Sequence, residues 1–244
     1  MTQHASDDKA IALGHPSYVW RAGQERRLSL IRQYAPLEGR QVLDAGCGVG
    51  TYVVAFRRFT EAVYGVDLDL EKVTLAAKGS SNVQVASVEA LPFRDGSFDV
   101  VLSHEVIEHV TDDRAALAEA VRVLGPGGRL VVYAPNRLYF FETHGFFWRG
   151  AYHFGNIPLI NWLPIPWRDR LCPHVRAYTV RGLRRLLDGL PVKVVTHTQV
   201  YPGFDNIAAR HPRAGHWLRR TLYALERTPL RLFGLSHFLV VERV

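Results

Sequence analysis

Cysteine is scarce in this 244-residue chain, which contains only Cys47 and Cys172. Two cysteines are too few for a disulfide framework or a cysteine-based zinc site. Cys47 stands inside a glycine-rich stretch where a small side chain fits, so we interpret it as a packed thiol. Long apolar runs are also missing: no window of about 18 apolar residues lacks a charge, which excludes a membrane-spanning helix. Because residues 1–17 are polar and lack a signal-peptide region, the sequence predicts a soluble, cytoplasmic protein.

Lysine is scarce as well, since 4 of the 30 basic residues are lysine and 26 are arginine. The formal net charge is +7 and the pI is near 9.6. A basic protein can bind nucleic acid or an anionic membrane. An arginine bias of this size also follows from genome composition alone, so the charge does not choose among these explanations.

The rest of the composition predicts a globular α/β fold. With 48% apolar residues the chain can bury a large core, and its length favours one domain with insertions over two domains. Up to residue 135, continuous apolar runs alternate with helical patterns, as in a parallel sheet covered by helices on both faces. We therefore predict a doubly wound, Rossmann-like sheet of seven strands with an antiparallel last strand.

The boundaries follow from the same patterns. The predicted strands are 41–46, 62–68, 82–87, 98–104, 129–135, 191–200 and 236–244. The predicted helices are 17–35, 51–59, 70–79, 112–124 and 180–190. The single domain divides into a tail at 1–14, a core at 15–135, an aromatic insert at 136–175 and a basic helical insert at 203–234.

The stretch VLDAGCGVGTY at 42–52 places three glycines, Gly46, Gly48 and Gly50, directly after the first predicted strand. In an open parallel sheet, ligands bind beyond the carboxyl ends of the strands, where the next helix presents its first N–H groups. The spacing departs from the dinucleotide fingerprint because position 51 is threonine, and no Gly-Lys-Ser/Thr follows, which excludes a P-loop. The turn predicts a ligand without a diphosphate, unless it is only a tight turn that needs glycine.

Two acids accompany the glycine turn. Asp44 stands two residues before Gly46, and Asp67 ends the second predicted strand. A carboxylate at the end of the second strand can accept hydrogen bonds from ribose hydroxyls. The pattern fits a ligand with a ribose, a small carboxylate and an ammonium group, and S-adenosylmethionine carries these groups.

Four stretches resemble, in order and spacing, the class I S-adenosylmethionine-dependent methyltransferases, and most closely the branch that includes the ubiquinone and menaquinone biosynthesis enzymes. They are VLDAGCGVGTY, VYGVDLDLEKV, VEALPFRDGSFDVVLSHEVIEHV and LGPGGRLVVYAPN, and together they cover about residues 40–136. The resemblance implies the fold predicted above, methyl transfer as the activity and S-adenosylmethionine as the cofactor.

The resemblance also implies contacts between the cofactor and individual residues. The methionine end would meet the turn at 46–48 and Asp44, the ribose would meet Asp67, and the adenine would meet Leu68, Val88 and Glu89. Ser103 and His104, after the fourth strand, would lie near the sulfonium. The implied cofactor-binding set is therefore Asp44, Gly46, Cys47, Gly48, Asp67, Leu68, Val88, Glu89, Ser103 and His104. The family often has an acid where this chain has Ser87, so the contact to the adenine amino group would be weaker or would come from Glu89.

Histidines supply the candidates for acid–base chemistry. A general base assists methyl transfer if the acceptor is a hydroxyl, and the candidates are His104, His109 and His174, with His144 as a further one. The stretch HEVIEH would place Glu105, Glu108 and His109 on one face if it were helical.

Together with His174, these residues form a possible ligand set for a divalent cation. A similar Glu-x-x-Glu-His pattern with a distant histidine binds Mg²⁺ or a like ion in ubiquinone-pathway O-methyltransferases and small-RNA 2′-O-methyltransferases. A cation would orient the acceptor hydroxyl and lower its pKa. The alternative is that no metal binds and that the two acids only cap and pair.

The two inserts are the segments of the sequence with a composition suited to binding the acceptor. The segment 136–175 holds 10 of the 27 Phe, Trp and Tyr residues, mixed with arginines and prolines. This composition suits a pocket for a hydrophobic acceptor, a patch on an anionic membrane, or a lid packed on the core. The insert at 203–234 is rich in arginine and could contact lipid, cover the site, form a dimer or remain a solvated helix.

The sequence therefore predicts a cytoplasmic, or membrane-peripheral, methyltransferase for a hydrophobic small-molecule or lipid-linked acceptor, with oxygen as the methylated atom. Two alternatives remain, an RNA 2′-O-methyltransferase and a non-catalytic partner protein that binds the cofactor. Nucleic acid is not the expected partner, because the chain shows no RNA-binding module and its aromatics cluster with prolines. The oligomeric state stays open.

Overall fold

The computed structural model describes residues 20–244, and the predicted tail at 1–14 and the first residues of the predicted helix at 17–35 lie outside this range. The main sheet has seven strands in the order β10-β11-β5-β4-β1-β2-β3. These strands are β1 Val42–Ala45, β2 Val63–Asp67, β3 Val83–Val85, β4 Phe98–His104, β5 Leu124–Pro135, β10 Val192–Val200 and β11 Ser236–Arg243. The sheet confirms the predicted fold class.

The strands from β1 to β5 pair in parallel, and β11 lies antiparallel between β5 and β10. The predicted antiparallel last strand is therefore confirmed. The strand order reverses between β1 and β4, because β2 and β3 lie on one side of β1 while β4 and β5 lie on the other. At such a switch point the loops after the strands separate, which leaves a crevice at the carboxyl edge of the sheet.

Helices cover both faces of the sheet. They are α1 Ala22–Tyr34, α2 Thr51–Phe56, α3 Leu70–Ala76, α4 Asp113–Val123, α5 Ile165–Leu171, α6 Val180–Arg185, α7 Asp205–Arg210 and α8 Pro212–Leu225. Side chains cap several of them: Asp69 accepts from the backbone of Glu71 at 2.9 Å, and Asp112 accepts from Ala115 at 2.9 Å. Such caps satisfy first-turn N–H groups that have no partner inside the helix.

Most helices are shorter than the periodicity predicted. The helix predicted at 112–124 ends at Val123, and β5 begins at Leu124, earlier than the strand predicted at 129–135. The stretch from Glu105 to His109 is a turn and not the helix on which the shared-face interpretation depended. Glu105 has a φ of +55°, a left-handed conformation that is incompatible with a continuing helix.

Two apolar layers hold the helices on the sheet. On one face, Leu117 and Val121 of α4 and Leu183 of α6 pack with β4, β5 and β11. On the other face, Ile31 of α1 and Phe56 of α2 pack with the opposite side of the same strands. Burial on both faces explains why these strands read as continuous apolar runs.

The aromatic insert, residues 136–175, begins after β5. It contains two small hairpins, β6 Phe141–Glu142 with β9 Ile157–Pro158 and β7 Phe146–Trp148 with β8 Ala151–His153, then a 3₁₀ turn and α5. The basic insert, residues 203–234, contains α7, α8 and a 3₁₀ turn at Pro229–Phe233 between β10 and β11. Among the described helices, none is both long and apolar enough to cross a bilayer.

Candidate functional site

A cavity of about 470 Å³ lies at the carboxyl edge of the sheet. Residues from the ends of β1, β2 and β4 line it, as the strand order predicts. The cavity brings together nearly all the residues proposed to meet the cofactor: Asp44, Gly46, Cys47, Gly48, Asp67, Leu68, Val88, Glu89 and His104. Ser103 is buried within β4 and is not part of the lining, so the structure does not support its predicted cofactor contact.

The three glycines form a left-handed turn at the bottom of the cavity. Gly46, Gly48 and Gly50 have φ values of +87°, +52° and +81°. The N–H groups of Gly46 and Cys47 both donate to the carbonyl of Val66, each at 2.8 Å, which ties the turn to β2. Only glycine adopts this conformation without strain, so the backbone here can approach a ligand closely.

Asp67, at the end of the neighbouring strand β2, accepts a hydrogen bond from the same turn. Its Oδ2 accepts from the backbone N–H of Gly48 at 2.9 Å, and its Oδ1 accepts from the N–H of Asp69 at 2.9 Å. A carboxylate oxygen has a second lone pair, so both oxygens can still accept from hydroxyls of a ligand. Leu68, next in the chain, is 60% exposed although it is apolar, and it faces the cavity.

Asp44 supplies a buried carboxyl at the methionine end. It is 2% exposed and lines the cavity. Burial, and secondly the negative charge of Asp67, raise the pKa of Asp44 to about 8. A cationic group bound beside Asp44 would favour its ionised form, because opposite charges at short range oppose the effect of burial. These residues fit the ammonium and ribose groups of S-adenosylmethionine.

His104 lies in the cavity wall but its ring is already engaged. Nη1 of Arg27, which can only donate, lies 2.6 Å from Nε2 of His104, so this ring nitrogen acts as the acceptor. Burial, and secondly the charge of Arg27, lower the pKa of His104 to about 3. The role of His104 as a general base stays a prediction, and this contact favours a structural role instead.

Glu105 has hydrogen-bonding and ion-pair partners in the structure, whereas Glu108 has no hydrogen-bond partner for its carboxyl group within residues 20–244. Glu105 accepts from the hydroxyl of Ser236 at 2.6 Å and lies 3.5 Å from the Arg27 guanidinium. Glu108 is buried, and neither of its carboxyl oxygens has a hydrogen-bond partner within residues 20–244. Burial, and then the charge of Glu105, raise the pKa of Glu108. A buried, unsatisfied carboxyl is costly and calls for an explanation.

Two histidines lie beside Glu108. One ligand atom each from Glu108, His109 and His144 lie within 4.8 Å of one another. Nδ1 of His109 is buried without a partner among the described residues, and burial lowers the pKa of this histidine to about 3. A neutral imidazole of such low basicity is a poor proton acceptor, yet it remains a good cation ligand.

His174 lies on the far side of this group. It lines a second cleft of about 800 Å³, which also reaches Glu108 and His109 and opens between α5 and α6. Nε2 of His174 lies 3.1 Å from the carbonyl of His144 and donates to it, while the buried Nδ1 has no partner in the described range. The predicted ligand set of Glu105, Glu108, His109 and His174 is therefore assembled differently, with His144 beside Glu108 and His109.

Sequence reasoning missed three residues that shape the site. Arg27 of α1 and Tyr52 of α2 contact His104 from elements far away in the chain, and Glu142 contacts His144. No local pattern marks Arg27 or Tyr52, because their roles depend on how the helices pack. The two-residue spacing of Glu142 and His144 was the one available signal.

The fold and this cavity agree with the resemblance found in the sequence. The seven-stranded sheet, the left-handed glycine turn after β1 and the carboxylate at the end of β2 are the features expected from a resemblance to class I S-adenosylmethionine-dependent methyltransferases. Residues 43–132 match the family described as "Methyltransferase domain". This part of the chain is therefore similar to the family, and the similarity supports S-adenosylmethionine as the cofactor.

Known proteins agree with this assignment. The chain is 38% identical over 104 residues to a probable S-adenosylmethionine-dependent methyltransferase of Mycolicibacterium smegmatis, covering 42% of this chain and 40% of that protein. It is 37% identical over 119 residues to a ubiquinone biosynthesis O-methyltransferase of Paracidovorax citrulli, covering 46% and 50%. The chain thus spans half or less of the length of these curated relatives.

A solved structure extends the similarity to the fold of nearly the whole chain. An S-adenosylmethionine-dependent methyltransferase from Mesorhizobium loti superimposes with a TM-score of 0.61 at 18% identity. The match covers 88% of this chain and 96% of that chain. At this identity the comparison concerns the fold alone.

Replacing Asp67 with alanine is expected to weaken binding of S-adenosylhomocysteine at least about tenfold, because charge-assisted hydrogen bonds to ribose are lost together with the brace on Gly48. Isothermal titration calorimetry measures the affinity. Glu61→Ala is the matched control, since it removes a carboxylate that is 84% exposed and remote from the cavity. Equal affinities for the two variants would contradict the assigned contact.

Proposed function

We propose that the protein transfers a methyl group from S-adenosylmethionine to an oxygen atom of a hydrophobic small-molecule or lipid-linked acceptor. One observation carries the proposal: His109 and His144 line the same cavity as the glycine turn, and Glu108 lies beside them. One end of the cavity thus suits the cofactor, and the other holds oxygen and nitrogen groups that suit a hydroxyl. The similarity to a ubiquinone biosynthesis O-methyltransferase supports oxygen as the methylated atom.

At the cofactor end, the roles follow from charge and shape. The turn at 46–48 and Asp44 hold the methionine end, Asp67 holds the ribose, and Leu68 and Val88 cover the adenine. The bound cofactor supplies a methyl group on a sulfonium, which is already an activated leaving group. The main task of the protein is then alignment of the acceptor oxygen with this methyl group, which can supply much of the rate.

At the acceptor end, we propose that a divalent cation binds to Glu108, His109 and His144. The unsatisfied oxygens of Glu108 and the unpartnered Nδ1 of His109 fit this proposal, because buried polar atoms normally have partners. Two imidazoles and one carboxylate suit Mn²⁺, Fe²⁺ or Zn²⁺ better than Mg²⁺. Such a cation would orient the acceptor hydroxyl and lower its pKa. General-base roles for His104, His109 and His174 remain the alternative.

The two inserts support a hydrophobic acceptor that is taken from a membrane surface. Phe140 of the aromatic insert stacks on Phe233 of the basic insert, with ring centroids 5.3 Å apart, and Trp162 packs on the same pair. Elsewhere in the two inserts large apolar side chains remain exposed: Trp148, Phe154, Ile165, Trp167, Trp217 and Leu230. Exposed tryptophans together with arginines are typical of proteins that bind anionic lipid surfaces.

A labelled-methyl assay tests the function. The protein is mixed with methyl-labelled S-adenosylmethionine and Mn²⁺, and with vesicles that carry a long-chain catechol, made from anionic or from zwitterionic lipid. We expect the label on a catechol oxygen, with faster transfer and sedimentation of the protein on the anionic vesicles. A short RNA with free 2′-hydroxyl groups serves as the competing acceptor.

Each other outcome selects an alternative. Label on the RNA and none on the catechol would replace the proposal with RNA 2′-O-methylation. Binding of S-adenosylhomocysteine without label on either acceptor would favour a non-catalytic partner protein. Equal transfer on both kinds of vesicle would leave the small-molecule acceptor in place and remove the membrane contact.

A further inference from the structure

A buried carboxylate stands behind His144, on the side away from the cavity. Glu142 is 2% exposed and ends β6 in the aromatic insert. Its Oε1 accepts from the backbone N–H of His144 at 2.9 Å and lies 3.0 Å from Nδ1 of the same histidine. One carboxylate oxygen therefore holds both the backbone and the ring of His144.

The other oxygen of Glu142 faces a buried arginine. Oε2 accepts from Nη2 of Arg168 at 3.0 Å, and Arg168 itself is 1% exposed. The remaining donors of Arg168 reach the Asn161 side chain at 3.3 Å and the Val175 carbonyl at 2.7 Å. If Glu142 were protonated, the charge of the buried Arg168 would have no counter-charge, which is costly. Arg168 therefore keeps Glu142 in its ionised form, in which it can only accept hydrogen bonds.

These contacts determine which nitrogen of His144 carries the proton. An ionised carboxylate can only accept hydrogen bonds, so Nδ1 of a neutral His144 must be protonated. Nε2 is then left with a free lone pair, and the ring lines the cavity beside Glu108 and His109. In metal sites, a carboxylate that accepts from the other ring nitrogen performs this function.

We propose that Glu142 is a positioning residue that holds His144 in the Nδ1–H tautomer and presents its Nε2 lone pair at the acceptor end of the cavity. What Nε2 then binds rests on the proposed function. The tautomer itself rests only on the contacts of Glu142. Arg168 completes the arrangement by linking Glu142 to α5 and to the chain at Val175.

The neighbouring contacts keep His144 in place on its other side. Its carbonyl accepts from the hydroxyl of Tyr152 and from Nε2 of His174. The backbone of His144 is thus fixed by Glu142, Tyr152 and His174, and only the ring protonation depends on Glu142 alone. A variant at position 142 can therefore change the tautomer while the insert keeps its fold.

Glutamine at position 142 is the sharpest substitution. A carboxylate accepts on both sides, toward His144 and toward Arg168, whereas an amide presents one oxygen and one NH₂ group. One of the two donors must then lose its acceptor. Asp169→Asn is the matched control, because Asp169 lies 3.5 Å from Arg168 and is exposed, with no contact to His144.

Long-range ¹H–¹⁵N spectra of the imidazole rings provide the readout, with the His144 signals assigned from a His144→Gln variant. We expect the Nδ1–H tautomer for His144 in the unmodified protein and in Asp169→Asn, and a mixture of tautomers in Glu142→Gln. An Nε2–H tautomer in the unmodified protein would overturn the proposal, and this measurement decides even if Glu142→Gln fails to fold. An unchanged tautomer in a folded Glu142→Gln protein would overturn it as well.

Kinetic measurements then test whether the tautomer of His144 affects the rate of methyl transfer. If methyl transfer is observed, Glu142→Gln is expected to lower kcat by about 10- to 100-fold with an unchanged KM for S-adenosylmethionine. A change in KM alone would instead indicate a merely structural role. If no methyl transfer is found, the spectra still test the position of the proton, so failure of the proposed function and failure of this inference remain distinguishable.

Discussion

Alanine at position 46 is expected to reduce the affinity for S-adenosylhomocysteine by at least about a hundredfold, because displacement of a positioned group by about 1 Å has effects of this size. A Cβ atom at this position would lie 2.8 Å from Cγ1 of Val106 and still closer to its Cγ2. The φ of +87° adds backbone strain, since residues other than glycine rarely adopt this region. Calorimetric titration of the variant measures the loss.

Gly39→Ala is a control that separates the effect of backbone strain from the effect of a collision with a neighbouring side chain. Gly39 has a φ of +70°, but nothing lies within 4 Å of its would-be Cβ atom. This variant should lose about 1 kcal/mol of unfolding free energy from backbone strain, with unchanged affinity for S-adenosylhomocysteine. The double variant Gly46→Ala/Val106→Ala removes the colliding methyl groups and should recover part of the affinity. If Gly46→Ala binds as tightly as the unmodified protein, the glycine turn is not the cofactor cradle.

Removal of the proposed cation is expected to have the second large effect. After chelation, methyl transfer should fall at least about a hundredfold and recover with Mn²⁺, because a cation that orients the acceptor hydroxyl and lowers its pKa contributes several kcal/mol. Binding of Mn²⁺ can be measured by electron paramagnetic resonance without any acceptor. Glu108→Gln should abolish this binding, since it removes the one carboxylate of the ligand group.

Three further variants distinguish the ligand set of the structure from that of the sequence. Glu105→Gln should weaken Mn²⁺ binding much less than Glu108→Gln does, because Glu105 contacts Arg27 and Ser236 and acts on the ligand group only through its charge. His144→Gln should weaken Mn²⁺ binding more than His174→Gln does. A larger loss of Mn²⁺ binding in His174→Gln than in His144→Gln would contradict the proposed ligand set. Methyl transfer that does not change with chelation or with Mn²⁺ would show that no cation takes part, and it would favour the general-base alternative.

Much of the cofactor end could be predicted from the sequence because its signals are local. Three closely spaced glycines permit left-handed backbone in a tight turn, and Gly46, Gly48 and Gly50 have positive φ values. Asp67 was identified because it ends an apolar strand, and the ends of parallel strands meet at one edge of a sheet. Ser103 shows the limit of this reasoning, since its neighbour His104 lines the cavity and Ser103 does not.

The acceptor end depended on the tertiary structure. The shared helical face expected for Glu105, Glu108 and His109 requires regular backbone, and the positive φ of Glu105 breaks it. His144 reaches the site only because the small hairpins of the aromatic insert fold back over the sheet edge. Hairpins of two or three residues per strand have no usable periodicity, so nothing local in the sequence indicates where they will pack.

The amino-acid sequence alone determined the sheet, its antiparallel last strand, the glycine turn and the cofactor, because apolar periodicity and glycine spacing act over a few residues. The tertiary structure decided which side chains share the acceptor end. Arg27 contacts the ring of His104 from 77 positions away, and Glu142, held by Arg168, contacts His144 within the insert. Contacts of this kind arise from long-range packing and buried charge pairing, which leave no pattern along the chain.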